Sequence, residues 1–78
     1  MHYVYLLKLI NGKIYTGSSK DVKERLNRHT EGSVNATKNF LPVKLIWYCA
    51  FSKRQDALNF EKYLKSGSGQ GFRNRHLI

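Results

Sequence analysis

Seventy-eight residues make one small domain that buries only about three-fifths of the surface its unfolded chain exposes. Hydrophobic residues at 41% and charged residues at 24% are ordinary for a folding chain, which excludes disordered and fibrous classes, and the lone Cys49 excludes an internal disulfide or a multi-thiolate zinc site. Fourteen Lys and Arg against five acids give +9 at pH 7, with no acid between residues 32 and 55 or after Glu61; this is the balance of a polyanion-binding protein, although a solvated basic surface gives the same count.

In chain order, His2 to Ile10 is aromatic and branched and ends at Asn11-Gly12, which predicts a strand and a hairpin turn, with Ile14 to Gly17 returning. Asp21 followed by Glu24 is a capping-box variant and opens a helix in which Val22, Leu26 and His29 share a face, until Glu31-Gly32-Ser33 stops it. A polar loop runs to Asn39. Val43 to Phe51 predicts a strand at the centre of the domain, with Cys49 as a small buried hydrophobe. Ser52 and Gln55 form a second capping box for a helix from Lys53 to about Ser66, and Gly67, Gly69 and Gly71 end it, with Gly67 as a left-handed cap. The expected fold is α+β: one domain over 1–78, a three-stranded antiparallel sheet flanked by helices in the order β-β-α-β-α, and a basic extension with a short C-terminal helix. The longest charge-free apolar run, Leu45 to Phe51, is too short to span a bilayer, and Met1 to Ile10 carries no basic leader, so a cytoplasmic protein with no membrane partner is expected.

The glycine cluster follows a helix and lacks a Gly-Lys-Ser or Gly-Lys-Thr ending, so it is no nucleotide loop; it caps a helix or offers a backbone nest for phosphate. In the second helix Ala57, Leu58, Phe60 and Leu64 form an apolar stripe, and Glu61 lies three or four residues from three of them. A carboxylate there needs a compensating cation, a metal, or escape at the edge of the stripe, and pairing with an arginine is the structural alternative to a functional site. Arg25 and His29, one helical turn apart, flank the apolar face of the first helix. With Tyr5 and Tyr15 on paired strands, this set on a basic scaffold suits phosphodiester chemistry.

Tyr3-Val4-Tyr5-Leu6-Leu7, then Ile14-Tyr15-Thr16-Gly17-Ser18-Ser19-Lys20-Asp21, then Arg25, His29 and Glu61, resembles the GIY-YIG nuclease family over nearly the whole chain. The resemblance extends to the nuclease domain of the excision-repair protein UvrC and to small stand-alone bacterial members, which Lys65-Ser66-Gly67-Ser68-Gly69 also resembles. It implies hydrolysis of a DNA phosphodiester with one Mg²⁺ or Mn²⁺ held by Glu61, in DNA repair or the processing of branched or single-stranded DNA. Arg25 would neutralise transition-state charge, and Tyr15 would take the proton of the attacking water with Tyr5 or His29 assisting. The family's late asparagine has only Asn74 as a counterpart here.

A site shared by Tyr5 and Tyr15 requires both on one sheet face, which a three-residue loop over Asn11 to Lys13 with paired positions summing to 24 provides. The basic residues Lys20, Lys23, Arg28, Lys53, Arg54, Lys62, Lys65, Arg73 and Arg75 are expected to contact phosphates without reading bases. The expected state is a monomer, alone or docked on a larger repair or nucleoprotein assembly. A catalytically inactive nucleic-acid-binding or assembly module on the same scaffold is the alternative.

Overall fold

The computed structural model describes residues 1–78 in the order β1 (His2–Lys8), β2 (Ile14–Ser19), α1 (Val22–Thr30), β3 (Lys44–Phe51), α2 (Arg54–Lys65) and α3 (Gly67–His76). The sheet is antiparallel with order β2-β1-β3. Thus β1, not β3, is central, which corrects the expectation from composition: β3 is aromatic because Trp47 and Phe51 pack against Phe60 of α2, not because neighbours flank it on both sides. Val4, Leu6 and Leu7 on β1 are completely buried, since helices cover both faces of the sheet.

Alternation along β1 divides the core in two. Val4 and Leu6 join Ala57 and Leu64 of α2 on one face, with Phe72 and Leu77 packed alongside. Tyr5 and Leu7 point to the other, where Val22 and Leu26 of α1 cover them.

The β1–β2 hairpin pairs Tyr5 with Gly17 and Leu7 with Tyr15, so paired positions sum to 22 rather than 24. The Leu9 N–H donates to the Lys13 carbonyl at 2.9 Å and the Gly12 N–H to the Leu9 carbonyl at 2.9 Å, placing the three-residue loop at Ile10 to Gly12, one position earlier than expected. Gly12 has φ +85°, the left-handed residue such a loop requires. Both sums are even, so Tyr5 and Tyr15 share a face as the site requires.

Asp21 caps α1 by accepting the Glu24 N–H at 3.0 Å. Gly32, at φ +80°, follows its end. The second capping box does not form: Lys53 is the N-cap of α2, without a side-chain hydrogen bond, and Gln55 instead donates to Asn59 at 3.0 Å. The glycines after α2 do not stop helical structure. Ser66 turns the chain and caps a new helix, accepting the Gly69 N–H at 3.1 Å, and Gly67 is its first residue rather than a left-handed cap. Gly69 is required there because a Cβ would collide with the Tyr63 carbonyl at the end of α2. The glycines therefore let α3 turn tightly against α2, and they form no phosphate nest.

Candidate active site

Tyr5 and Tyr15 stand on neighbouring strands with ring centroids 6.5 Å apart, and His29 of α1 closes over both, at 5.9 Å from Tyr5 and 5.1 Å from Tyr15. Gly17 permits this arrangement. It lies opposite Tyr5, and a Cβ on it would come within 2.5 Å of the Tyr5 phenol oxygen and 3.1 Å of the Tyr15 ring. The Tyr-Thr-Gly sequence is thus a steric device as well as a motif.

His29 is fully buried, with both ring nitrogens engaged: Nε2 shares a hydrogen bond with the Tyr5 hydroxyl at 3.0 Å and Nδ1 shares one with Thr37 Oγ1 at 2.8 Å. Thr37 is itself fully buried, so the polar loop after α1 is anchored through it. Burial, and then the positive charge of Arg25, hold the His29 imidazole below its ordinary range, which keeps it neutral near pH 7. Tyr5 is 1% exposed. Burial is the main force pushing its phenol far above the ordinary value; Tyr15 and Glu61 push the same way and Arg25 opposes them. Tyr5 therefore remains protonated at neutral pH.

Arg25 sits one turn before His29, half-buried, with its Nε shielded from solvent and without a hydrogen-bond partner. A buried guanidinium donor left unsatisfied is costly unless something arrives to accept from it. It lines an open cleft of about 700 Å³ together with Ser18, His2, Lys20 and Arg54. Two acids at this cleft are already engaged, Asp21 as the α1 cap and Glu24 in an ion pair with Arg28.

Glu61 reaches the same region from the opposite face of the sheet. Its Oε1 accepts from Ser18 Oγ at 2.6 Å and its Oε2 from Lys65 Nζ at 2.8 Å. Burial works to raise its pKa, but the hydrogen bonds from Lys65 and Ser18 and the charges of Lys65 and His2 outweigh it and hold the carboxyl below its usual range. The cation it pairs with is Lys65, one turn along α2, rather than Arg25. Glu61 remains partly open, its side chain 18% exposed. Nowhere do three His, Cys, Asp or Glu side chains converge. The donor set is one ionised carboxylate at the edge of a basic cleft, which fits a hard cation that keeps water and phosphate oxygens as its other ligands.

The fold thus gathers Tyr5, Tyr15, Arg25 and His29 on one sheet face, with Glu61 at the same edge through Ser18. Lys20 and Arg54 line that cleft. Lys23 lies on the other flank of α1. Arg28 is engaged with Glu24 and Lys65 with Glu61. Lys53 precedes α2, and Lys62 lies on its exposed surface. On α3, Arg75 donates to the Gly71 carbonyl, while Arg73 and Asn74 line a separate groove with Lys8 and Lys13. Asn74 is therefore not part of the tyrosine cluster. Gly17 and Ser18 stand in the motif stretch, but the sequence does not reveal their roles against Tyr5 and Glu61, and it does not single out Thr37.

Comparison with known proteins agrees with this geometry. The chain matches the GIY-YIG catalytic domain over residues 1–75. It is 41% identical over 69 residues to a UPF0213 protein of Streptococcus agalactiae, covering 87% of this chain and 78% of that one. It is 36% identical over 70 residues to a UPF0213 protein of Staphylococcus saprophyticus, covering 88% and 85%. Among solved structures it is similar to the solution NMR structure of the UPF0213 protein BH0048 from Bacillus halodurans, at TM-score 0.57 and 31% identity over 91% of this chain and 79% of that one. With the motif residues converging in space and the family matched almost end to end, the chain belongs to the GIY-YIG catalytic domain family, a nuclease family, beside the small UPF0213 proteins.

Proposed function

We propose that the chain is a metal-dependent DNA endonuclease that hydrolyses phosphodiester bonds. The observation that carries this reading is Arg25: a half-buried guanidinium with an unpartnered Nε, lining an open cleft beside the hydrogen-bonded Tyr5–His29 pair. Phosphate oxygens are the acceptors that such a planar fork suits. Arg25 binds one non-bridging oxygen and offsets the charge that grows there as water attacks. Glu61 would hold Mg²⁺ or Mn²⁺, which when bound polarises the phosphodiester and stabilises the leaving oxygen.

The two tyrosines divide the remaining work. To Tyr15, half-buried where Tyr5 is buried, we assign the role of meeting the attacking water and, as phenolate, taking its proton. Tyr5, buried and protonated, ties neutral His29 in place, and the imidazole stands edge-on against Tyr15. Thr37 fixes the orientation of the His29 ring through its hydrogen bond with Nδ1. The basic residues around the cleft hold the DNA backbone, and the setting we assign is repair or processing of branched DNA in the cytoplasm, by a monomer or within a larger assembly.

The test is cleavage of single-stranded, duplex, flap and branched DNA with Mg²⁺ or Mn²⁺. Divalent-dependent cleavage that disappears in chelator and in Arg25→Ala is expected. Tight, salt-sensitive DNA binding without cleavage of any of these would overturn the reading in favour of a binding module.

A further inference from the structure

Tyr48 occupies a position that packing does not explain. It lies directly opposite Tyr5 in the β1–β3 ladder, on the face that α1 covers. Yet Tyr5 is 1% exposed and Tyr48 is 58% exposed, because α1 packs against β2 and leaves the Tyr48 position of β3 uncovered. The Tyr48 ring rests against Tyr3, centroids 6.3 Å apart and planes tilted by 59°, which leaves an aromatic surface open to solvent. The two rings wall a depression of about 510 Å³ with Val22 and Leu26 of α1 in its lining and Lys20 and Lys23 beside them. Asp21 is the acid at this depression, and its carboxylate is committed to capping α1.

We propose that this depression is a stacking platform for an unpaired nucleobase, so that the substrate carries a single-stranded segment beside the scissile phosphate. Aromatic faces that bases stack on, set beside lysines that hold the backbone, are how proteins bind single strands without regard to sequence. A duplex keeps its bases inside the stack and has none to offer. The continuity of the surface supports the same occupant: Lys20 and Asp21 line both this depression and the cleft of Ser18 and Arg25. A strand leaving that cleft passes around the first turn of α1 and meets the two tyrosines. The location of the scissile phosphate rests on the nuclease reading above; base stacking on Tyr48 does not.

The experiment therefore measures binding in chelator, where cleavage plays no part. Fluorescence anisotropy of a labelled oligothymidine and of a blunt duplex is compared for wild type, Tyr48→Thr and Tyr48→Phe, with melting curves for each. Threonine is a good strand former and Tyr48 is exposed, so all three should fold. Tyr48→Thr is expected to weaken oligothymidine binding about ten-fold and leave duplex binding unchanged, while Tyr48→Phe keeps wild-type affinity for both. On a flap substrate the same change raises KM with kcat preserved. Unchanged oligothymidine affinity in Tyr48→Thr, or equal loss on single strand and duplex, overturns the platform and leaves the nuclease reading intact. A wild type that never cleaves but shows the Tyr48 effect on single strand alone upholds the platform and removes the nuclease. If Tyr48→Thr melts early, Tyr48→Leu, apolar but without a ring face, gives the same readout.

Discussion

Gly17 lies opposite Tyr5 in the β1–β2 ladder, and the Tyr5 phenol occupies the space a side chain at position 17 would take. The obstruction is Tyr5 itself, whose ring is held by His29 and cannot swing away without breaking that hydrogen bond. Gly17→Ala should therefore cost about 1 to 3 kcal/mol through overpacking and displace Tyr5 from His29. Urea unfolding measures the stability, and tyrosine near-ultraviolet circular dichroism reports the displacement. An alanine variant with unchanged stability and spectrum would show that the two residues do not meet in this way.

Thr37 is the other support of the imidazole. Thr37→Val keeps the shape but removes the Nδ1 partner of a fully buried His29, an unsatisfied polar group worth about 1 to 3 kcal/mol. Cleavage should fall along with stability, because the ring that holds the Tyr5 hydroxyl is no longer fixed at Nδ1. Thr37→Ser restores the hydroxyl and should recover most of both. Equal behaviour of the valine and serine variants would separate Thr37 from the histidine.

Two folded-state pKa shifts set the acid side of the stability profile, and their signs agree. Burial and Arg25 depress the His29 pKa below its ordinary 6.5, so below pH 6.5 the unfolded chain takes up a proton that the native imidazole refuses. Stability from this group is complete above pH 6.5 and is lost as pH falls toward the folded-state value. Glu61, also depressed in the fold, contributes above its ordinary 4.5 and loses that contribution as pH falls below it. Urea midpoints should decline in two stages on acidification, and His29→Gln should flatten the upper stage alone. A midpoint that rises between pH 7 and 5 would contradict the burial of neutral His29.

Much of this was legible in the sequence, and the parts that were not have physical reasons. Tyr5, Tyr15, Arg25 and His29 could be placed on one face because strand alternation and helix spacing are periodic. The hairpin parity followed in the same way, but its register was off by two because turn residues alone do not say which position opens the loop. The short C-terminal helix is expected and present, but its start at Gly67 is not legible: Gly67, Gly69 and Gly71 look like helix breakers, and only the close approach to the Tyr63 carbonyl shows why glycine is needed within a helix there. Thr37 carries no signature at all, and Ser18 stands in the motif stretch without a mark of its partner. A hydroxyl becomes part of a site through a partner 43 residues away, as Ser18 does with Glu61, and one sequence holds no record of such a pairing.

The central claim concerns Glu61, and Glu61→Gln tests it most directly. The ion pair it loses is a partly exposed one-turn contact with Lys65, and glutamine can still accept from Ser18, so stability should change by less than about 1 kcal/mol. Because Arg25 is not its ion-pair partner, no buried guanidinium is stranded. The measurement is DNA cleavage together with the melting temperature over a Mn²⁺ titration, for wild type and variant in parallel. Wild type is expected to cleave and gain stability with Mn²⁺, while Glu61→Gln folds, binds DNA at least as tightly, does not cleave and does not respond to the metal. A folded Glu61→Gln protein that cleaves at the wild-type rate, or that is stabilised by Mn²⁺ as wild type is, would contradict it.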